Sequence, residues 1–455
     1  MSLRRYPEYK DSGVEWLADV PVHWSVDRLK ASITSCKNGI WGDDPSGDAN
    51  DIDCVRVADF DRVRFVVDAD VPTKRAVPKK DRVGRLLDRG DLLLEKSGGG
   101  EKQPVGQVVL YDRDASAVCS NFVAKVSLAD GMVPRFWMYQ HAAAYARGVN
   151  VGSIKQTSGI QNLDQSQYFN ERGVFPPEDE QVLIAAFLDR ETGKIDALIA
   201  AQEKLIALLA EKRQVTISHA VTKGLNPNAP MKDSGVVWLG EVPTHWAIKR
   251  VKHLVKEGIA GPYGSSLTKS MYSASGYRVY GQQQVIPGDF SVGDYYISEE
   301  QFAEMSRYQV RPNDVLISVM GTIGRSAVVP QDAEAGIINP RLVLYRVIER
   351  LICPKYLQVF LNNLTSQRYF SLAAQGTTME GLNMGSIGEL HVALPPLHEQ
   401  QEILQFVQSE GAKLDALSAE SDRAVSLLKE RRSALIAAAV TGQIDVRDEV
   451  VEVAA

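Results

Sequence analysis

A chain of 455 residues, 44% hydrophobic and 24% charged, has the size of two to four domains and the composition of a globular rather than a fibrous or disordered protein. No apolar run approaches the ~20 residues that cross a bilayer, and the basic start MSLRRYPEYKDSG lacks the apolar stretch of a secretory signal. The net charge of −6 gives no hint of a nucleic-acid partner, and Cys36, Cys54, Cys119 and Cys353 stand without CxxC spacing, which argues against a zinc site or a disulfide framework and fits a reducing cytoplasm.

In chain order the first element is a short segment, residues 1–24. Its DSGVEWLADVPVHW, Asp11 to Trp24, reads as a packed turn: Asp-Ser-Gly suits a bend, and Trp, Leu, Val and Pro suit packing. Residues 25–175 read as a mixed α/β domain. Short β-rich runs such as Leu92–Leu94 and Gln107–Leu110 alternate with Gly-rich turns, and a helix is expected near Pro134–Arg147.

A helical region, 176–222, follows. Phe175-Pro-Pro-Glu-Asp-Glu-Gln181 opens it, because proline suits a first helical turn and acidic residues suit the positive helix N-terminus. Ile184, Phe187, Leu188, Ile195, Leu198, Leu205, Leu208, Leu209 and Val215 recur at spacings of three and four. Gly193 interrupts the pattern, so a short helix followed by a long one over about 194–221 is expected, the long one spanning roughly 40 Å.

A linker, 223–246, contains DSGVVWLGEVPTHW, Asp233 to Trp246, which is the opening phrase again. Residues 247–394 read as a second α/β domain, with strands at Asp314–Ser318 and Leu342–Tyr345 and a helix near Pro354–Tyr369. Leu394-Pro-Pro-Leu-His-Glu-Gln400 opens a second helical region, 395–441, with its own stripe: Ile403, Phe406, Val407, Leu414, Leu417, Ala424, Leu427, Leu428 and Leu435. Gly411 predicts a break there too, with the long part over 413–440. Residues 442–455 form an acidic tail.

The chain is thus duplicated: segment, domain and helix occur twice. Glu180, Gln181, Ile184 and Phe187 match Glu399, Gln400, Ile403 and Phe406, and Arg213 matches Arg432. Between the two α/β domains only Gly90-Asp91-Leu-Leu-Leu against Asn313-Asp314-Val-Leu-Ile, and Asn162-Leu163 against Gly381-Leu382-Asn383, look alike. Duplicated helices favour two long helices packed on each other as a coiled coil.

Catalytic signatures are missing. Ser97-Gly-Gly-Gly-Glu-Lys102 lacks phosphate-loop spacing, and there is no HExxH, no DxDxDG and no [Asn/Asp]-Pro-Pro-[Tyr/Phe] of amino-methyltransferases. Asp91, Glu95 and Lys96 have the wrong spacing for a nuclease set. His23 and His245, each beside a tryptophan, read as packing residues.

By region, residues 25–175 hold 21 Lys/Arg against 20 Asp/Glu and residues 247–394 hold 14 against 12, whereas both helical regions are net acidic. A nucleic acid therefore belongs at the α/β domains if anywhere. Their loops supply the candidates: Lys37, Asn38, Lys96, Ser97, Lys102, Gln103, Gln156, Thr157, Ser158 and Gln161 in the first. The second supplies Tyr263, Ser265, Ser266, Lys269, Gln282, Gln283, Gln284, Thr322, Arg325, Asn339, Arg341, Thr377 and Thr378. Gln and Asn can pair with adenine, and Arg and Lys with guanine. Ordinary polar turns carry the same residue types.

The whole plan resembles the specificity subunit of Type I restriction-modification systems. The twin KDSGVEWLADVPVHW and KDSGVVWLGEVPTHW segments and the twin "PP…EQ" helices ending in AVT carry the resemblance. SGIQNLDQSQYFNERGVFPPEDEQ and GTTMEGLNMGSIGELHVALPPLHEQ look like the family's exits from its target-recognition domains. The resemblance implies an α+β chain: two target-recognition domains separated by two long antiparallel coiled-coil helices, with a pseudo-two-fold repeat. It implies no catalysis, no metal and no cofactor in this chain, with S-adenosylmethionine, ATP and Mg on partner subunits. The partners implied are double-stranded DNA, two modification (methyltransferase) subunits and restriction/translocase subunits, with no membrane. The alternative from the residues alone is a protein-interaction scaffold with two ligand-binding domains.

Overall fold

The computed structural model describes residues 4–449 except 69, 71–72, 101, 157–158, 264–265 and 375–380. The chain forms two compact units, residues 1–202 with 423–455 and residues 203–422. Each unit contains one copy of the repeated segment, one α/β domain and a stretch of each long helix. Among the described residues no helix is long and apolar enough to cross a membrane.

In the first unit the run Leu92-Leu93-Leu94 lies inside a sheet ordered Ile33–Asn38, Val123–Leu128, Leu92–Glu95, Val108–Leu110, Val66–Val67, Phe60–Asp61. All three leucines are buried because both faces of the sheet are covered. Leu92 and Leu94 join the core beneath helix Pro134–Ala146, and Leu93 points into a separate cluster with Val109 and Tyr111. Alternate side chains of a strand point to opposite faces, so a continuous apolar run marks a strand buried on both sides. A second sheet, Ala117–Cys119, Asp51–Val55, Lys74–Ala76, packs beside it, its first pair parallel.

The second unit repeats this plan with a different sequence. Its four-stranded sheet is ordered Val255–Ala260, Leu342–Val347, Val315–Ser318, Ser326–Val328, and its three-stranded sheet Tyr296–Ile297, Tyr277–Tyr280, Gly336–Ile338. Again Val315 and Ile317 face one cluster and Leu316 another. In both units the first and last strands of the domain pair with each other, Ser25–Arg28 with Arg172–Phe175 and Ala247–Arg250 with His391–Leu394. Each domain is therefore a closed loop of chain leaving and rejoining the frame at one place.

The helices differ from the expectation. Glu178–Lys223 and Leu397–Val440 are single helices of 46 and 44 residues that run through Gly193 and Gly411 without a break. Glycine in a helix interior costs about 1 kcal/mol, less than the burial of the flanking apolar residues returns. In the first unit Ile195 and Ile199 pack with Val425, and Arg432 Nε donates to Asp196 Oδ1 at 2.8 Å. In the second unit Arg213 pairs with Asp415 at 2.8 Å. Within each unit the directions are opposed. Arg190 reaches the carbonyl of Glu449 while Asp196 meets Arg432, and a Cβ on Gly224 would approach Glu399 while Arg213 meets Asp415. The helix expected over Pro354–Tyr369 is two helices, Pro354–Asn362 and Leu364–Ala374. Asn363 between them caps the second, its Oδ1 accepting from Thr365 N–H at 2.7 Å and Ser366 N–H at 3.0 Å.

The repeated phrases are joints. Glu180 accepts from Trp24 Nε1 at 3.0 Å and Tyr6 Oη at 2.9 Å, and meets His23 Nε2 at 2.6 Å. In the second unit Glu399 meets His245 Nε2 at 2.8 Å. The neighbouring glutamines have the other half of the task. Gln181 Oε1 accepts from Val133 N–H at 3.0 Å and Gln400 Oε1 from Cys353 N–H at 2.8 Å, each just before the proline that starts the domain's helix. The first segment also packs on the end of the second long helix, where Tyr9 Oη donates to Gly442 O at 2.9 Å.

Candidate nucleic-acid interface

The two domains share one backbone skeleton, recognisable by hydrogen bonds rather than by sequence, and each has a polar cleft beside the same turn of it. In the first domain Ser120 N–H donates to Val55 O at 2.8 Å, and in the second Asn339 N–H donates to Tyr280 O at 2.9 Å. Leu163 N–H donates to Lys96 O at 2.9 Å, as Leu382 N–H does to Val319 O at 2.8 Å. Gly39 and Gly261 cross the same strand end, where a Cβ would fall 2.2 Å from Cys119 O and 2.0 Å from Asn339 O, so neither position accepts a side chain. The weak likenesses in sequence mark this skeleton. Asp91 and Asp314 each cap their own turn, accepting from Asp88 N–H and Arg311 N–H, and each binds the strand beside it: Asp91 to Lys125 and Ser127, Asp314 to Arg346. Asp164 and Asn383 each cap a short helix, Gln165–Tyr168 and Met384–Glu389.

In the first domain the cleft, about 660 Å³, is lined by Ser97, Lys102 and Gln103 from the predicted set, together with Arg62, Glu95 and Phe122. Arg62 bridges its wall. It pairs with Glu95 at 3.2 Å, donates to Gln107, and donates through Nη1 and Nε at 2.9 Å to the Gln103 amide oxygen turned toward it. Burial pushes the Glu95 carboxyl above its ordinary range, against the pull of Arg62. Asp91, Glu95 and Lys96 thus serve the fold, the first two as partners of Lys125 and Arg62. Among the described residues no group of His, Cys, Asp and Glu could hold a metal ion.

The remaining predicted residues of this domain are not among those that line the cleft. Lys96 is half-buried next to it. Gln161 is buried, its Oε1 accepting from Val105 N–H at 3.1 Å, and Ser97 donates to Asn162 Oδ1 at 2.7 Å. Gln156 is exposed at the end of strand Ile154–Gln156. Lys37 and Asn38 are exposed at the end of an edge strand, and Asn38 Oδ1 accepts from Gln165 at 2.9 Å. Thr157 and Ser158 lie outside the described residues.

In the second domain the cleft, about 390 Å³, brings together five predicted residues from three separate stretches of chain: Lys269, Gln282, Gln283, Asn339 and Arg341. Tyr272 and Tyr295 join them, their ring centroids 5.0 Å apart. Gln282 Nε2 donates to Ser318 Oγ at 2.6 Å, and Asn339 Oδ1 accepts from Arg341 N–H at 2.9 Å. Gln283 is exposed, but Gln284 turns inward and is spent on Gly281 N–H and Val292 O at 2.8 and 2.9 Å. Thr322 and Arg325 are exposed on the turn between strands Val315–Ser318 and Ser326–Val328. Tyr263 is 65% exposed and Ser266 is also exposed, while Ser265, Thr377 and Thr378 lie outside the described residues.

Sequence reasoning missed Arg62, Phe122, Tyr272 and Tyr295. An exposed phenylalanine at a turn leaves no local signature. The aromatic and arginine content near the polar loops was the available signal, since stacking and guanidinium contacts accompany amide readout.

Fold and clefts together define a class of protein: a duplicated chain with two α/β domains of one backbone plan, each carrying a polar cleft, and two long helices. The comparisons place it within that class. Residues 266–422 match the family described as Type I restriction modification DNA specificity domain. The Type I restriction enzyme EcoBI specificity subunit of Escherichia coli is 22% identical over 335 residues, covering 72% of this chain and 69% of that one. The EcoKI specificity subunit of Escherichia coli (strain K12) is 20% identical over 364 residues, covering 78% and 75%. Among solved structures, one describing assembly and conformational transition of the type I R-M system matches with TM-score 0.70 at 16% identity, covering 92% of this chain and 98% of that one. The HsdS subunit from Thermoanaerobacter tengcongensis matches with TM-score 0.54 at 17% identity, covering 93% and 98%. Over residues 266–422 the chain thus matches the Type I DNA specificity domain, and over most of its length it is similar to Type I specificity subunits and shares their fold.

Proposed function

We propose that this chain reads DNA for a Type I restriction-modification complex of the cytoplasm. Residues 25–175 and 247–394 are its two target-recognition domains, each reading one half of a bipartite double-stranded site. One observation carries the reading: the two domains share one backbone skeleton, and beside the same turn of it each has a polar cleft lined by different cationic, amide and aromatic side chains. Two such clefts suit two unlike half-sites.

The helical regions 176–222 and 395–441 set the unread spacer and dock two modification subunits, through which restriction/translocase subunits join. Leu198 and Leu417 are the same repeat position, as are Leu208 and Leu427, and these four are 53%, 49%, 51% and 58% exposed. Large apolar side chains repeated on a solvent face are what a covering partner uses. S-adenosylmethionine, ATP and Mg belong to those partners.

The test is co-expression with the modification subunits followed by methylome sequencing and pull-down. A methylated bipartite motif with a constant spacer is expected, and Leu208→Glu with Leu427→Glu should abolish capture of the modification subunits. Absence of any motif in cells carrying the assembled complex overturns the reading.

A further inference from the structure

We infer that Phe122 and Arg341 are one base-reading position at matched turns of the two domains, Arg341 taking a guanine and Phe122 the methyl group of a thymine. This rests on the DNA-reading function proposed above.

Their equivalence is a matter of backbone geometry. Lys96 N–H donates to Phe122 O at 2.9 Å, and Val319 N–H donates to Arg341 O at 3.0 Å. Two residues earlier, Ser120 and Asn339 make the matched hydrogen bonds to Val55 and Tyr280. Immediately after, strands Val123–Leu128 and Leu342–Val347 each pair antiparallel with a central strand of their sheet. A three-residue turn, Ser120-Asn121-Phe122 or Asn339-Pro340-Arg341, thus leaves the same parallel strand pair and enters the same antiparallel ladder.

Both side chains stand free on a rigid base. Phe122 is 49% exposed at the cleft edge, its ring open to a ligand. Arg341 is exposed, and its guanidinium makes no hydrogen bond or ion pair among the described residues. Arg278 and Arg346 of the same domain are instead tied to Glu334 and to Asp314 with Glu257. Asn339 Oδ1 on the Arg341 N–H stiffens the turn beneath it. A guanidinium in a rigid fork matches the guanine O6/N7 acceptors, whereas phenylalanine contacts the thymine methyl group. The position therefore has different chemistry in the two domains at the same place in the fold. Each domain hangs from its long helix by the same glutamine contact, Gln181 or Gln400. The bases read by the two residues should then lie equally far from the spacer, one in each half-site.

The experiment is methylome sequencing of cells carrying the whole complex with the wild-type chain, Arg341→Ala, Arg341→Lys or Phe122→Ala. For Arg341→Ala, one guanine in one half-site is expected to relax, its preference falling roughly 5- to 150-fold, while Arg341→Lys keeps a weaker guanine preference. For Phe122→Ala, one thymine of the other half-site relaxes, at the same distance from the spacer. Unchanged motifs, both changes in one half-site, unmatched distances, or uniform loss of methylation with the motif intact each overturn the inference while a wild-type bipartite motif leaves the proposed function standing. A wild-type complex without any motif brings down both.

Discussion

Glu180 shows how much one carboxylate can hold. It receives the indole of Trp24, the hydroxyl of Tyr6 and the ring of His23, with its own side chain only 7% exposed. Its counterpart Glu399 meets His245, which is 52% exposed, and the Trp246 indole N–H has no partner among the described residues. Glu180→Gln leaves a buried donor facing a donor, and should destabilise the first unit by about 1–3 kcal/mol. Glu399→Gln should cost the second unit less than about 1 kcal/mol; urea unfolding followed by tryptophan fluorescence would separate them. A second residue ties stability to pH. His141 is buried against Tyr168 Oη at 2.8 Å, and burial lowers its pKa from the ordinary 6.5 to about 4. The folded state thus holds it neutral while the unfolded state binds a proton below pH 6.5. Stability is complete above pH 6.5 and falls by roughly 3 kcal/mol as the pH drops toward 4. His141→Gln should flatten that slope in unfolding measured at pH 7 and pH 5; an unchanged slope would assign the acid sensitivity elsewhere.

At the scale of elements, the helices show local propensity yielding to packing. Gly193 and Gly411 interrupt both apolar stripes, and a break was the natural expectation. Both helices instead continue, because buried apolar residues hold the helix on either side of each glycine: Ile184, Phe187 and Leu188 before Gly193 and, in a separate cluster, Ile195 and Ile199 after it; Ile403 before Gly411 and Leu414 after it. A Cβ at Gly193 would meet nothing within 4 Å. Gly193→Ala should therefore raise the stability of the first unit by about 0.5–1 kcal/mol, seen as a higher midpoint in thermal or urea unfolding; a lower midpoint would overturn this reading of Gly193. The strands were easier to anticipate. Leu92–Leu94 and Val315–Ser318 are short apolar runs between turns, and both are strands buried on two faces. The break at Asn363 was missed because an asparagine N-cap inside an apolar pattern competes with helix continuation only once its side chain finds the following N–H groups.

At the scale of the whole molecule, the proposed function makes the long helices a measure of the distance between half-sites. Inserting seven residues after Ala207, with seven more near Ser421 to preserve the opposed pairing seen at Arg213 and Asp415, adds about 10 Å of helix. The spacer should lengthen by about three base pairs with both half-sites unchanged. Long-read methylation mapping that showed new half-sites at the old spacing would count against the helices as the measure.

The sequence by itself determined the duplication, the two α/β domains, the long helices and the family resemblance, because repeated motifs and apolar periodicity are local patterns that survive in one dimension. Its twin Glu-Gln pairs already marked the joints, though not what they join. Only the tertiary structure decided which polar residues share a cleft. Lys269, Gln282 and Arg341 come from three distant stretches of chain, and Gln284, one residue from an exposed neighbour, points inward because helix Gln282–Val285 turns each successive side chain by about 100°. The tertiary structure also equated Phe122 with Arg341. Backbone hydrogen bonding is indifferent to the side chains it carries, so two domains can keep one skeleton after their sequences have lost nearly all trace of it.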